Sequence, residues 1–251
     1  MSLSAPRVQV DPARPGGRIL LQGEVWQSYT DLDDPEHLHF AYTQRIADAV
    51  DTVLPRPGAV RAVHLGGGAM TLPRWLAATR PGSRSTVLEL DPEVVAAAMA
   101  LVHVPAATVR VGDARAGLEG LADGCADLVV GDAFDGRAVP PHLLTTGCTT
   151  EVVRVLRPGG LYVLNIIGDA PFVGLRGALA TVRAAFGHVG VLAAPELLAQ
   201  EVSGNAVVVA CDEPVDWSAL ASRAAQRAER PTVLGESGTA HWVAGAAVLV
   251  D

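Results

Sequence analysis

Carboxylates at the ends of successive apolar runs, preceded by a glycine bend, are the groups in this chain best placed to do chemistry. Gly66, Gly67 and Gly68 follow an apolar run at residues 60–65. Glu89 and Asp91 close the run at 86–90, Asp113 follows the run at 108–111, and Asp132 and Asp135 follow the run at 126–130. Glycines at a bend let the backbone approach a ligand without Cβ interference. A helix after the bend offers unpaired N–H groups and the positive end of its dipole. A carboxylate about 20 residues further on, at the tip of the next strand, is placed to take two ribose hydroxyls. The pattern reads as a nucleoside site, with Leu65, Leu90 and Ala114 beside the polar groups.

Each group has a plainer role when taken alone. Asp113 could cap a helix over 114–121, and Asp91 could cap the helix that opens at Pro92. Four consecutive tips carrying glycine or carboxylate argue for a shared site. A nicotinamide fold explains Glu89 but does not require Asp113. The run from Gly66 to Thr71 also holds only Gly-x-Gly of the full dinucleotide fingerprint.

The elements that must position these residues alternate regularly. Strands over 60–65, 86–90, 108–111, 126–130 and 161–167 alternate with helices near 71–79, 92–101, 114–121 and 141–156, giving βαβ units and a parallel sheet covered on both faces. Residues 157–160, Arg-Pro-Gly-Gly, read as a helix stop and turn. A helix over 172–186 precedes strands near 188–193 and 205–210, close enough to be an antiparallel pair, and 217–228 is helical. Residues 1–17 read as a loose arm, and 18–25 with 26–30 as two short strands around Gly23. A helix capped by Asp33 or Asp34 continues over 37–54. The division is therefore an N-terminal arm, hairpin and helix (1–54) and a ligand-binding domain (55–251).

Composition narrows the classes. All 19 basic residues are arginine, which excludes a P-loop lysine, a Schiff-base lysine and a lysine general base. A formal charge of −8 argues against a nucleic-acid partner. No apolar run approaches the ~18 residues of a membrane span, and the N-terminus lacks a signal-peptide pattern, so a cytoplasmic location with no membrane partner is expected. Cys125, Cys148 and Cys211 are scattered and read as reduced thiols. His37 and His39 read as surface residues and His64 as a packed core histidine. His142 reads either as a substrate contact or as a helix start. Phe134 could stack on adenine or close an acceptor pocket.

Over residues 18–210 the chain resembles the spermidine synthase-like (polyamine aminopropyltransferase) family of the class I S-adenosylmethionine-dependent fold. The family's tips read GGGDGG, E-L/I-D, G-D-G/A and D-x-x-D. Here they stand as Gly66-Gly-Gly-Ala69-Met-Thr, Glu89-Leu-Asp91, Gly112-Asp113-Ala114 and Asp132-Ala-Phe-Asp135. The stretch Leu20-Leu-Gln-Gly-Glu-Val-Trp-Gln-Ser is similar to the family's hairpin, L-x-L-D-G-x-x-Q. The resemblance implies a doubly wound, mostly parallel seven-stranded Rossmann-like sheet with a small N-terminal β element. It also implies S-adenosylmethionine or its decarboxylated form as group donor, a small amine acceptor, no metal, and a homodimer paired through the N-terminal strands. Gln27 and Glu89 would hold the donor, Asp113 its adenine end, Asp132 would be the general base, and Tyr42 and Asp135 would bind the amine. Three acidic positions depart from the pattern: Ala69 replaces the aspartate of GGGDGG, Gln22 stands in the hairpin's Asp-Gly, and Gln44 in Tyr-His-Glu. The nucleoside half of the site is thus intact and the amine half altered. Aminopropyl transfer, methyl transfer and nucleoside binding without catalysis all stay open at this point.

Overall fold

The computed structural model describes residues 5–251. The chain opens with β1 (Pro6–Val10), β2 (Gly17–Gln22) and β3 (Val25–Asp31), an antiparallel three-stranded sheet in that order. Helix α1 (Ala41–Val53) leads into the main sheet through β4 (Arg61–Leu65), α2 (Thr71–Thr79), β5 (Arg84–Glu89), α3 (Pro92–Leu101), β6 (Ala107–Val111), α4 (Ala114–Glu119) and β7 (Ala126–Gly131). It continues through α5 (Thr146–Val155), β8 (Leu156–Gly168), α6 (Val173–Ala185), β9 (His188–Ala193), α7 (Pro195–Leu198) and β10 (Gly204–Cys211). It closes with α8 (Trp217–Ala224), β11 (Thr232–Leu234) and α9 (Glu236–Trp242).

Among the described residues the main sheet has eight strands in the order β11-β9-β10-β8-β7-β4-β5-β6. Neighbours from β6 across to β8 are parallel, and β10 pairs antiparallel with both β8 and β9. Every residue of β7 is buried, as a central strand covered on both faces requires. One face packs Ile46 and Val50 of α1, Trp75 and Leu76 of α2, and Leu220 of α8. The other packs Leu118 of α4, Val152 of α5 and Leu179 of α6. From β4 the chain winds outward to β5 and β6, then returns to place β7 on the other side of β4. This is the topological switch point beside which such sheets bind ligands. Gly66, N–H of which donates to Leu88 O at 2.8 Å, and Asp132, N–H of which donates to Leu65 O at 2.8 Å, fix the tips there.

The doubly wound class and the mostly parallel sheet match expectation; several details differ. The sheet gains an eighth strand, β11, which pairs antiparallel with β9. Three residues are too few to show alternation. Residues 6–10 are no loose arm but β1, with Val8 opposite Leu20. The helix expected over 37–54 begins only at Ala41. Asp31 accepts from the N–H groups of Asp33 and Asp34 at 2.9 Å each, and Asp34 from Glu36 N–H at 3.1 Å, turns that compete with a helical start. Residues 157–160 lie within β8 as an irregularity in its ladder: Ala126 pairs with Leu156, yet Leu128 pairs with Leu161. The helix expected over 141–156 is split into a 3₁₀ turn (Pro141–Leu143) and α5, which Thr145 caps. Helix α8 ends at Ala224, short of residue 228.

Candidate active site

The glycine bend after β4 is required by close approach. Gly66 has φ +93°, and a Cβ there would lie 2.5 Å from the carbonyl oxygen of Asp132. At Gly68, φ +47°, it would lie 2.8 Å from Ser28 Oγ. The bend therefore threads between the tip of β7 and the hairpin of β2 and β3. That hairpin is clipped down by the Thr71 hydroxyl, which donates to the Tyr29 carbonyl.

Glu89, at the end of β5, faces the bend. Its Oε2 accepts from Gly67 N–H at 2.8 Å and its Oε1 from Asp91 N–H at 3.1 Å, so the carboxylate is oriented before any ligand arrives. Asp91 caps α3 through Glu93 N–H at 2.8 Å and takes Gln22 Nε2 at 3.0 Å on its other oxygen. Asp113 caps α4 through Ala116 N–H at 3.0 Å and meets His142 Nε2 at 2.7 Å. Burial pushes the Asp113 carboxyl up, but the Ala116 N–H and His142 outweigh it and hold the group below its ordinary value. Helix capping and a shared site are thus not rival roles, since one oxygen of each aspartate caps a helix while the other reaches toward the cavity side. His142 both opens the 3₁₀ turn and joins the site through Asp113.

Asp132 lies where three elements meet. Asn165 of β8 donates Nδ2 to Asp132 Oδ1 at 2.8 Å, and Asn205 of β10 donates to Asn165 Oδ1 at 3.0 Å. The Tyr42 hydroxyl of α1 lies close enough to the same carboxyl to favour its charged form. Burial pushes Asp132 up to about 7, against the pull of the Asn165 hydrogen bond and the Tyr42 hydroxyl. Burial, and then the Asp132 charge, raise Tyr42 well above its ordinary value. A carboxylate poised near neutrality is matched to proton transfer at physiological pH. His64 is buried beneath the site, 3.2 Å from Ser85 Oγ, and burial pushes it down to about 3. It is a neutral core residue, as its place inside β4 implies.

Two cavities adjoin across this point. One, of about 380 Å³, lies over the β4–β7 tips and is lined by Gly66, Gly67, Gly68, Glu89, Asp91, Asp113 and Asp132, with Leu90 and Ala114 at its wall. Leu65 is buried behind it. The other, of about 470 Å³, lies between the hairpin, α1 and the β8–β10 end of the sheet. Gln27, Tyr42 and Phe134 wall both. Gln27 is the extra residue of a bulge, since Leu20 pairs with Ser28 and Leu21 with Trp26. Bulges re-aim a side chain in this way. Asp135 is exposed, its backbone paired with Ala138, and it borders the first cavity and not the second. Phe134 lies in the partition between them. Among the described residues no group of three or more His, Cys, Asp and Glu side chains is arranged to hold a metal ion.

Asn165, Asn205 and Arg45 were not among the sequence candidates. Asn165 had a signal: a lone amide in the apolar run of β8 must find a partner when buried. Arg45 follows Tyr42 by three residues and so shares its helix face. His37 and His39 lie outside any helix; His39 stacks on Tyr29 with ring centroids 4.1 Å apart.

Residues 63–164 match the methyltransferase-domain family. The chain is 30% identical over 186 residues to a polyamine aminopropyltransferase of Vibrio vulnificus, covering 72% of this chain and 58% of that protein. It is 26% identical to the Chromobacterium violaceum polyamine aminopropyltransferase, covering 64% of this chain and 61% of that one. It thus spans about three-fifths of the length of these relatives. A probable spermidine synthase from Corynebacterium glutamicum superposes with a TM-score of 0.90 at 28% identity, over 98% of this chain and 92% of that one. A spermidine synthase solved with the transition-state analogue AdoDATO shares the fold, with a TM-score of 0.62 at 17% identity over 85% and 72% of the two chains.

Proposed function

From a spermidine synthase-like chain of the class I methyltransferase fold, we propose a transferase that moves an aminopropyl group from decarboxylated S-adenosylmethionine to a small amine. The observation that carries this reading is the pair of adjoining cavities that share Gln27, Tyr42 and Phe134, with Asp132 lining the first and its hydrogen-bond partner Asn165 lining the second. A nucleoside-binding protein needs the first cavity alone. A group transfer needs a second, with a base between them.

In this reading Glu89 takes the donor's ribose and Asp113, steadied by His142, its adenine end. Gln27 and the glycine bend hold the donor from the hairpin side. The site's chemistry fits the donor: carboxylates for hydroxyl and amino groups, and no side chain filling the bend. The donor's sulfonium supplies the leaving group and most of the driving force. Asp132, raised toward neutrality, takes the proton from the attacking amine, because a protonated amine has no lone pair to give. Tyr42 and Asn165 hold the carboxylate at the junction, so that acceptor and donor meet in line. Phe134 closes the partition against water. Asp135 guards the mouth of the donor cavity and is not the main amine ligand. The protein works in the cytoplasm as a homodimer. The exposed Val8 and Val10 of edge strand β1 support pairing through the N-terminal sheet.

The test is one incubation of the protein with S-adenosylmethionine, its decarboxylated form and a set of amines, followed by mass spectrometry of the nucleoside. Amine-dependent methylthioadenosine is expected. S-adenosylhomocysteine would replace the reading by methyl transfer, and neither product would refute both.

A further inference from the structure

We infer that the second cavity is built for an amine bearing one positive charge and an apolar tail, and not for a diamine. This rests on the group-transfer reading above. The cavity's apolar wall is Val25, Trp26, Phe40, Ile167, Leu197 and Val202, and the charged residues that line it are Arg45, Arg137 and Glu229.

Glu229 is the single carboxylate residue lining this cavity, and it is already taken. Arg45, 4% exposed, pairs with it through Nη2 at 2.5 Å and donates Nη1 to the Asn205 carbonyl at 2.7 Å. A buried guanidinium of α1 held on both sides does not leave to make room for a substrate cation. Arg137 adds a second positive charge, with Asp169 at 3.7 Å as its ion-pair partner outside the cavity. Each arginine is thus matched by one carboxylate, and no carboxylate lining the cavity is left unpaired.

A second ammonium carried into this space would shed water without gaining a free carboxylate. The Trp26 ring offers a cation–π contact, but it is half exposed, where such contacts are weakest. An alkyl tail gains instead. Each methylene moved from water onto the wall is worth about a four-fold increase in kcat/KM. The carboxylate left for the amine nitrogen is Asp132 of the adjoining cavity, where the reacting amine must lose its proton.

The test compares straight-chain monoamines from propylamine to hexylamine with the diamines of equal carbon number, using decarboxylated S-adenosylmethionine and following methylthioadenosine. The expected result is a rise of about four-fold in kcat/KM per methylene until the cavity is filled, with each diamine at least about thirty-fold below its monoamine. Diamines turned over equally well or better would overturn the inference and leave group transfer standing. If neither series yields methylthioadenosine, the transfer reading fails. Calorimetry on the protein saturated with methylthioadenosine then decides the cavity. Hexylamine binding more tightly than 1,6-diaminohexane supports the inference, and equal or reversed affinities overturn it. Val202→Glu places a free carboxylate on an exposed part of the wall, where the native side chain is 47% exposed. It is expected to raise the diamine-to-monoamine ratio about ten-fold, and an unchanged ratio also overturns the inference.

Discussion

Asp132→Asn keeps the shape of the side chain and removes its charge, which separates what the group does for catalysis from what it does to stability. In the folded protein the carboxyl is pushed from an ordinary value of 3.8 up to about 7, chiefly by burial. The folded state therefore binds this proton more tightly than the unfolded state. Whatever stability is present below the unfolded value is lost progressively as pH rises from about 4 to about 7, and above that the loss is complete. Roughly 3 pH units at 1.36 kcal/mol each set a ceiling of about 4 kcal/mol. Water reaching Asp132 through the cavity screens the charge, and about 2 kcal/mol is the expected net effect. Asparagine retains an acceptor for Asn165, so the variant should melt about 4–8 °C above the native protein at pH 8. The gain should vanish near pH 4. Transfer should stop while methylthioadenosine still binds. Paired thermal melts from pH 4 to 8.5, with turnover measured beside them, check both halves. A variant no more stable than the native protein at pH 8, or a gain independent of pH, would refute the claim that a buried charge is held at the junction.

Tyr42→Phe removes a hydroxyl that pulls Asp132 down. The acid limb of kcat/KM should move to higher pH, by up to about one unit, with a loss of a few-fold at pH 7; a pH–rate profile reads it. His64 is pushed down to about 3 by burial, so the unfolded chain takes a proton below about 6.5 that the folded protein refuses. Stability is full above that value and falls as pH drops toward 3. His64→Gln should flatten the decline in melting temperature between pH 6.5 and 4, by up to about 3 kcal/mol at the acid end. Gly66→Ala meets both a positive φ and the Asp132 carbonyl at 2.5 Å. It should cost about 2–4 kcal/mol in a denaturant titration and weaken nucleoside binding with it.

The donor half was legible because each of its residues does two things at one sequence position. Glu89, Asp113 and Asp132 stand at strand ends and also line the first cavity, so the alternation that places the strands places the groups. The glycine bend gives the same double signal, a stop to β4 and an approach to Asp132. Less of the second cavity was legible: Gln27, Tyr42 and Phe134 were named, but its other walls come from β3, α1, β8 and the segments around β10, and no spacing links Tyr42 to Asn165 or Val25 to Val202. Short edge strands escaped for another reason. Residues of β1 and β11 gain their structure from a neighbour's ladder and not from a pattern of their own. The helix expected from residue 37 shows local chemistry overriding a capping signal, because the side chains of Asp31 and Asp34 are spent on turns there.

The departures from the family pattern gain a physical meaning from where they lie. Ala69 is fully buried against Leu20 and Val94 and lines neither cavity, so an aspartate in this packing would be a buried charge without a partner. Gln22 borders the donor cavity and donates to Asp91 at 3.0 Å. An aspartate there would set two carboxylates against each other where an amide now satisfies one. Both replacements lower the negative charge on the donor side, at or beside the first cavity, and Arg45 does the same in the second cavity by neutralising Glu229. Three positions from three different elements thus change the field in one direction, while Glu89 and Asp113 keep theirs. In the proposed reading donor and acceptor have separate walls, the first carrying Glu89, Asp113 and Asp132 and the second Arg45 and Glu229. The acceptor wall can therefore change its charge without moving the base or the donor groups.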